Sequence, residues 1–149
     1  MENSITRIWI AALALFFFYA QPVMAGKLDE AKAQAHLNAV AAGDLEAIMR
    51  DYAEDAYLDW VGGPLDGRYR GKAAIRAMWQ KFIDANAGKA RPAKFSKLEA
   101  YTHPKGASLE ASAEYGGATP VKVWHVLTYR EGTLTTELWQ TAPAIQVAP

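Results

Sequence analysis

Apolar residues in the first half of the chain recur with the spacing of helices. Over residues 27–42, Ala33, Leu37, Val40 and Ala41 fall on one face of a helix. Gly43 can close that helix, because glycine enters the left-handed conformation without steric cost. Asp44 suits the N-cap of a second helix, whose stripe in "DLEAIMRDY" is Leu45, Ile48, Met49 and Tyr52. "AYLDWVGG" predicts a strand that stops at the turn-rich "GGPLDGRYRG". A third helix is expected over 72–86, where Ile75, Met78, Trp79, Phe82 and Ile83 give the clearest helical period in the chain. "NAGKARP" breaks it.

Beyond that point the period becomes two. "KFSKLEAYT" and "SLEASAEY" predict strands joined by the turn "HPKG". In the second, Leu109, Ala111, Ala113 and Tyr115 alternate with Ser108, Glu110, Ser112 and Glu114, so one face is apolar and the other wet. "VKVWHVLTYREGTLTTELWQ" then supplies two more strands around a tight turn. Helix, helix, strand, helix and four antiparallel strands describe an α+β domain with helices on one face of a curved sheet.

Composition changes this picture at the N-terminus. Arg7, an apolar run of 13 residues from Ile8 to Ala20, and the small residue ending "VMA" have the order of an export signal. Thirteen residues fall short of the about 20 needed to cross a bilayer, so residues 1–25 are expected to be cleaved, not to anchor the chain in a membrane. Residues 26–149 are then one exported domain, periplasmic or secreted. The chain holds 16 Lys+Arg and 16 Asp+Glu, and cleavage removes one of each, Arg7 and Glu2. Zero net charge gives no electrostatic ground for a nucleic-acid partner. With no cysteine, disulfides and thiolate metal sites are excluded. Three histidines scattered over three elements predict no metal site.

"AAGDLEAIMRDYAEDAYLD", "GKAAIRAMW" and "YREGTL" together resemble the nuclear-transport-factor-two-like superfamily, which includes ketosteroid isomerases and SnoaL-like polyketide cyclases. The resemblance implies a cone-shaped half-barrel with three N-terminal helices packed on a curved, mainly antiparallel sheet. It also implies an apolar pocket on the concave face, dimerisation through the convex one, and no cofactor. In the isomerase branch, an aspartate on the first strand is the base, while a tyrosine and a protonated aspartate hold the oxyanion. Here those positions fall on Trp60 (or Asp59 after a one-residue slip), His36 and His125. The isomerase constellation is absent, and a pocket with different polar groups takes its place.

The last hairpin frames the chemistry. A three-residue loop at "REG" would set Leu127 opposite Thr135, His125 opposite Glu137 and Val123 opposite Trp139. His125 and Glu137 would then share a face, with Cβ atoms about 4.5–5.5 Å apart. A two-residue loop at Glu131-Gly132 would turn Glu137 away, and glutamate suits the positive φ of that turn badly. The three-residue reading makes His125 a general base oriented by Glu137, with Asp59, Tyr115 or His36 holding a developing enolate. His36, Tyr52, Trp60, Trp79, Tyr115, Leu127 and Trp139 are the expected ligand-binding residues. Against this stand plainer roles: a packed core histidine at His125 or His36, an edge carboxylate at Glu137 and a turn cap at Asp59.

Three functions follow from the sequence. One is a cofactor-free isomerase, cyclase or related lyase acting on a small hydrophobic carbonyl compound. Another is a binding module for a small hydrophobic molecule. The third is a dimeric assembly subunit with Trp124, Val126, Leu134 and Leu138 on its convex face.

Overall fold

The computed structural model describes residues 26–148, so the expected export signal lies outside the described residues. Helix α1 occupies residues 26–42. Its stripe of Ala33, His36, Leu37 and Val40 is buried. Gly43 follows at φ 70°, and the Asp44 side chain accepts a hydrogen bond from the Ala47 amide at 3.0 Å. Helix α2 is only Leu45–Met49. Tyr52, expected on the stripe of that helix, instead opens strand β1, Tyr52–Val61. The five-residue run "LEAIM" is too short to propagate a helix without tertiary support, and the ladder of the sheet claims the chain from Tyr52. Helix α3, Lys72–Asp84, buries all five residues of its predicted stripe.

Seven strands form a single sheet. Three of them depart from the expected pattern. The turn-rich stretch after β1 contains β2, Gly67–Arg70, antiparallel to β1. "KFSKLEAYT" is two strands, β3 (Ala93–Phe95) and β4 (Glu99–His103), which pair in turn with the long β5, Gly106–Tyr115. Strands β6 (Val121–Arg130) and β7 (Thr133–Thr141) complete the order β2-β1-β7-β6-β5-β3, with β4 also on β5. The β1–β7 pair is parallel and every other pair antiparallel. The result is an α+β domain with an open, curved, mainly antiparallel sheet.

The core lies between the helices and the concave face. Alternation places Leu58 and Trp60 of β1, Leu109 to Tyr115 of β5, and Val123 to Tyr129 of β6 inward. The opposite face carries Tyr57, Asp59, Trp124, Val126 and Leu138, none of them fully buried. Leu134, expected on that outer face, is fully buried. The tight β6–β7 turn pairs Leu134 with the inward-facing Tyr129, ahead of the β-bulge in β7, and this explains the change.

Candidate functional site

The β6–β7 turn is not the three-residue loop expected. It is a two-residue loop of Glu131 and Gly132, both left-handed at φ 50° and 80°, with Arg130 paired to Thr133. Glutamate does adopt the positive φ here, because the twist of the flanking strands favours the mirror-image turn. Alone, that loop would send Glu137 to the outer face. The bulge at Thr135 adds one residue to β7 and restores the parity, so that Leu127 lies opposite Glu137 and His125 opposite Trp139. His125 and Glu137 are therefore diagonal neighbours, not direct partners, and both point inward.

Glu137 is the centre of a sealed polar cluster. It, His125 and Tyr115 have 0% exposure, and His36 has 3%. One carboxylate oxygen accepts a short hydrogen bond from the Tyr52 hydroxyl. The Trp79 indole N–H in turn donates to that hydroxyl at 3.1 Å. His36 Nε2, reaching down from α1, lies 3.3 Å from Oε1 and 3.2 Å from Oε2. His125 Nδ1 lies 3.6 Å from Oε1, and its Nε2 is hydrogen-bonded to the Tyr115 hydroxyl at 3.0 Å.

Burial pushes the Glu137 carboxyl up, but attraction to His36 and His125 and hydrogen bonding from His36 overcome it, holding the group at about 2. Burial lowers His125 below its ordinary value, against the opposing pull of Glu137. Burial, reinforced by the charge of Glu137, raises the Tyr52 and Tyr115 phenols well above theirs. The cluster is thus an ionised carboxylate, a neutral imidazole and two protonated phenols. Such a set can exchange protons without exchanging them with water.

Aromatic rings fill the rest of the hollow. Trp139 is stacked between Trp60 at 4.1 Å and Tyr115 at 5.4 Å, each with an interplanar angle of 14°. Trp79 and Phe82 meet that stack edge-on. Arg91 lies over Phe82 at 4.6 Å and donates to the Gly116 carbonyl at 2.9 Å. It straps the loop after α3 to the end of β5. Surface hollows lie elsewhere: one of about 390 Å³ is bordered by Tyr101, His103 and Arg130, and one of about 610 Å³ by Gln34, Ser96 and Leu98. Neither is lined by any member of the cluster.

The expected residues thus divide. His125, Glu137, His36, Tyr52, Trp79 and Tyr115 are joined by hydrogen bonds or ion pairs, and Leu127, Trp60 and Trp139 wall them in. Asp59 does not join them. It lies on the outer face, where Arg68 donates to both carboxylate oxygens at 2.5 and 2.8 Å, because Trp60 takes the inward register. Sequence reasoning missed Tyr129, whose buried hydroxyl has no hydrogen-bond partner among the described residues. Its signal was available: it shares the alternation of His125 and Leu127. The Arg91 strap had no such signal, since "NAGKARP" reads only as a helix breaker. Among the described residues, no three His, Cys, Asp or Glu side chains are arranged to hold a metal ion.

The fold and this inward-facing cluster set the terms for comparison with known proteins. The SnoaL-like domain family matches residues 33–136, well over half the chain. The chain belongs to the SnoaL-like family. A comparison with curated proteins finds no match. Among solved structures, this SnoaL-like chain is similar to an NTF2-like protein of unknown function from Pseudomonas putida KT2440. The TM-score is 0.68 at 17% identity, covering 87% of this chain and 100% of that one. A ketosteroid isomerase-like protein from Erwinia carotovora atroseptica SCRI1043 gives a TM-score of 0.62 at 18% identity over 79% and 97%. A putative polyketide cyclase from Sinorhizobium meliloti gives 0.51 at 19% identity over 73% and 93%. At these identities the likeness concerns the fold alone.

Proposed function

We propose that this SnoaL-like domain is an exported acid–base catalyst that needs no cofactor and moves a proton beside the carbonyl of a small hydrophobic compound. The observation that carries the reading is the meeting of Glu137 with His36 and His125 at 3.2–3.6 Å in a fully buried setting. Burying a carboxylate with two imidazoles costs several kcal/mol in desolvation, an arrangement that packing alone does not call for. Perturbed ionisable groups inside an apolar hollow are a common mark of catalytic sites. The half-barrel surrounds them with Trp60, Trp79 and Trp139, which suit an apolar substrate. The test is α-hydrogen exchange of hydrophobic ketones in heavy water, followed by NMR. His125→Gln is expected to abolish exchange while the folded circular-dichroism spectrum persists; undiminished exchange refutes the proposal.

A second reading draws on the aromatic stack. Trp60 falls where the isomerase branch carries its aspartate base, and Trp60, Trp139 and Tyr115 form a platform for an apolar ligand held without reaction. Native mass spectrometry of protein purified from its own host would reveal a retained molecule. Ligand-free protein with no thermal shift across a hydrophobic library counts against it.

A further inference from the structure

We propose that the outer face of the sheet carries a binding groove for a neutral, linear carbohydrate chain, separate from the buried cluster. One cross-strand row defines it. Tyr57 of β1 pairs with Thr136 of β7, Thr136 with Thr128 of β6, Thr128 with Ser108 of β5, and Ser108 with Tyr101 of β4. Paired residues of neighbouring strands share a face, so five consecutive strands present Tyr-Thr-Thr-Ser-Tyr in a line. Tyr57 and Tyr101 are 41% and 62% exposed, whereas the inward Tyr52, Tyr115 and Tyr129 are buried. At about 4.8 Å per strand step, the two exposed tyrosines stand about 19 Å apart along the sheet.

Two hollows follow this row. One, of about 390 Å³, is lined by Tyr101, Ser108 and Thr128, and the other, of about 620 Å³, by Tyr57 and Thr136. Arg130 lines both, so they adjoin and the groove runs from one tyrosine to the other. It is open to solvent, and a ligand reaches it without any opening of the core. The apolar Val126 and Leu138 fall on a different row of the same face and line neither hollow.

The chemistry of the row selects the occupant. A sugar ring offers an apolar C–H face, which packs on an aromatic ring, and a rim of hydroxyls that both donate and accept. Here aromatic rings stand at the ends, with hydroxyls between them. The Ser108 and Thr128 hydroxyls lie 3.2 Å apart, and a pair that shares one hydrogen keeps the other for a ligand. Arg68 and Arg70, both from β2 on the side of β1 away from Thr136, hold the Tyr57 ring at 5.9 Å from its centroid. A purely apolar ligand would strand the three hydroxyls without partners. A protein partner calls for an apolar centre, where serine is depleted. A polyanion finds little net charge: Arg68 is paired with Asp59, Lys105 with Glu131 at 3.9 Å, and Asp55 shares the second hollow with Arg130. A neutral chain of sugars satisfies rings and hydroxyls together. Because the row is built on paired strands, little ordering is needed on binding.

Calorimetric titration of the full chain with cellohexaose, xylohexaose, maltohexaose and chitohexaose tests this. At least one is expected to bind, moving the amide signals of Ser108, Thr128 and Thr136 in proton–nitrogen spectra. Tyr57→Ala and Tyr101→Ala are each expected to weaken that binding by about 10-fold while leaving the thermal melt unchanged. The matching disaccharide, too short to reach both tyrosines, is expected to bind more weakly than the hexamer. Failure of all four hexamers at millimolar concentration overturns the proposal. So does a bound hexamer indifferent to both tyrosine replacements, a disaccharide held as tightly, or binding confined to hexagalacturonate and abolished by salt.

Discussion

Glu137 shows how one side chain concentrates both stability and chemistry. Its carboxylate satisfies Tyr52 and His36 and faces His125, all inside the core. Removing it strands those donors in a low-dielectric setting. Glu137→Ala is expected to lower the unfolding free energy by about 3–5 kcal/mol, measured by urea titration. Acid should have a related effect. The folded-state value of about 2 lies below the ordinary 4.5, so this group's stabilisation is present above 4.5 and lost as pH falls towards 2. His125, lowered from 6.5, adds to the loss: the unfolded chain takes up its proton first as pH drops below 6.5. Stability should therefore decline from pH 6.5 downward, and Glu137→Gln should flatten the portion between 4.5 and 2. A wild-type stability that rises over that range contradicts the assignment. The identity of the two residues was legible from the sequence, but their diagonal relation was not. It depends on a bulge that costs one residue and leaves no compositional trace.

At the scale of elements, the helices were the legible part and the sheet edges were not. The stripe of α3 was readable because five apolar residues repeat with one period, and all five are buried. Strand β2 was hidden in a turn-rich stretch, and β3 and β4 were read as one run. In both cases pairing with a longer neighbour, β1 or β5, makes a strand of residues whose own propensity is ambiguous. The β4–β5 hairpin has a demanding joint at Gly106, with φ 153°, where an added Cβ would collide with the Tyr129 carbonyl. Gly106→Ala should cost at least about 2 kcal/mol, seen as a lowered urea midpoint. A neutral effect would mean that the hairpin closes differently.

For the whole molecule, the curved sheet separates two faces with different tasks. The concave one is consumed by the polar cluster and its aromatic wall. On the outer one, Trp124, Val126 and Leu138 lie across adjacent strands β6 and β7, and Val126 pairs directly with Leu138. We propose homodimerisation through this apolar patch, with Leu134 excluded because it is buried. Light scattering should give twice the chain mass, and Val126→Glu should halve it without changing the melt. A monomeric wild type at high concentration removes the proposal. Export is tested as simply: the mature N-terminus should be Gly26 by mass spectrometry.

The sequence by itself determined the class of fold, the inward-facing helix stripes and the residue types available for chemistry, because periodicity and residue identity are local properties. Tertiary structure alone decided which of those residues meet. A bulge set the facing of Glu137, one register step chose Trp60 over Asp59, and a helix far away in sequence brought His36 to the carboxylate. Those are long-range geometric outcomes, since a shift of one residue along a strand reverses the face of every side chain beyond it.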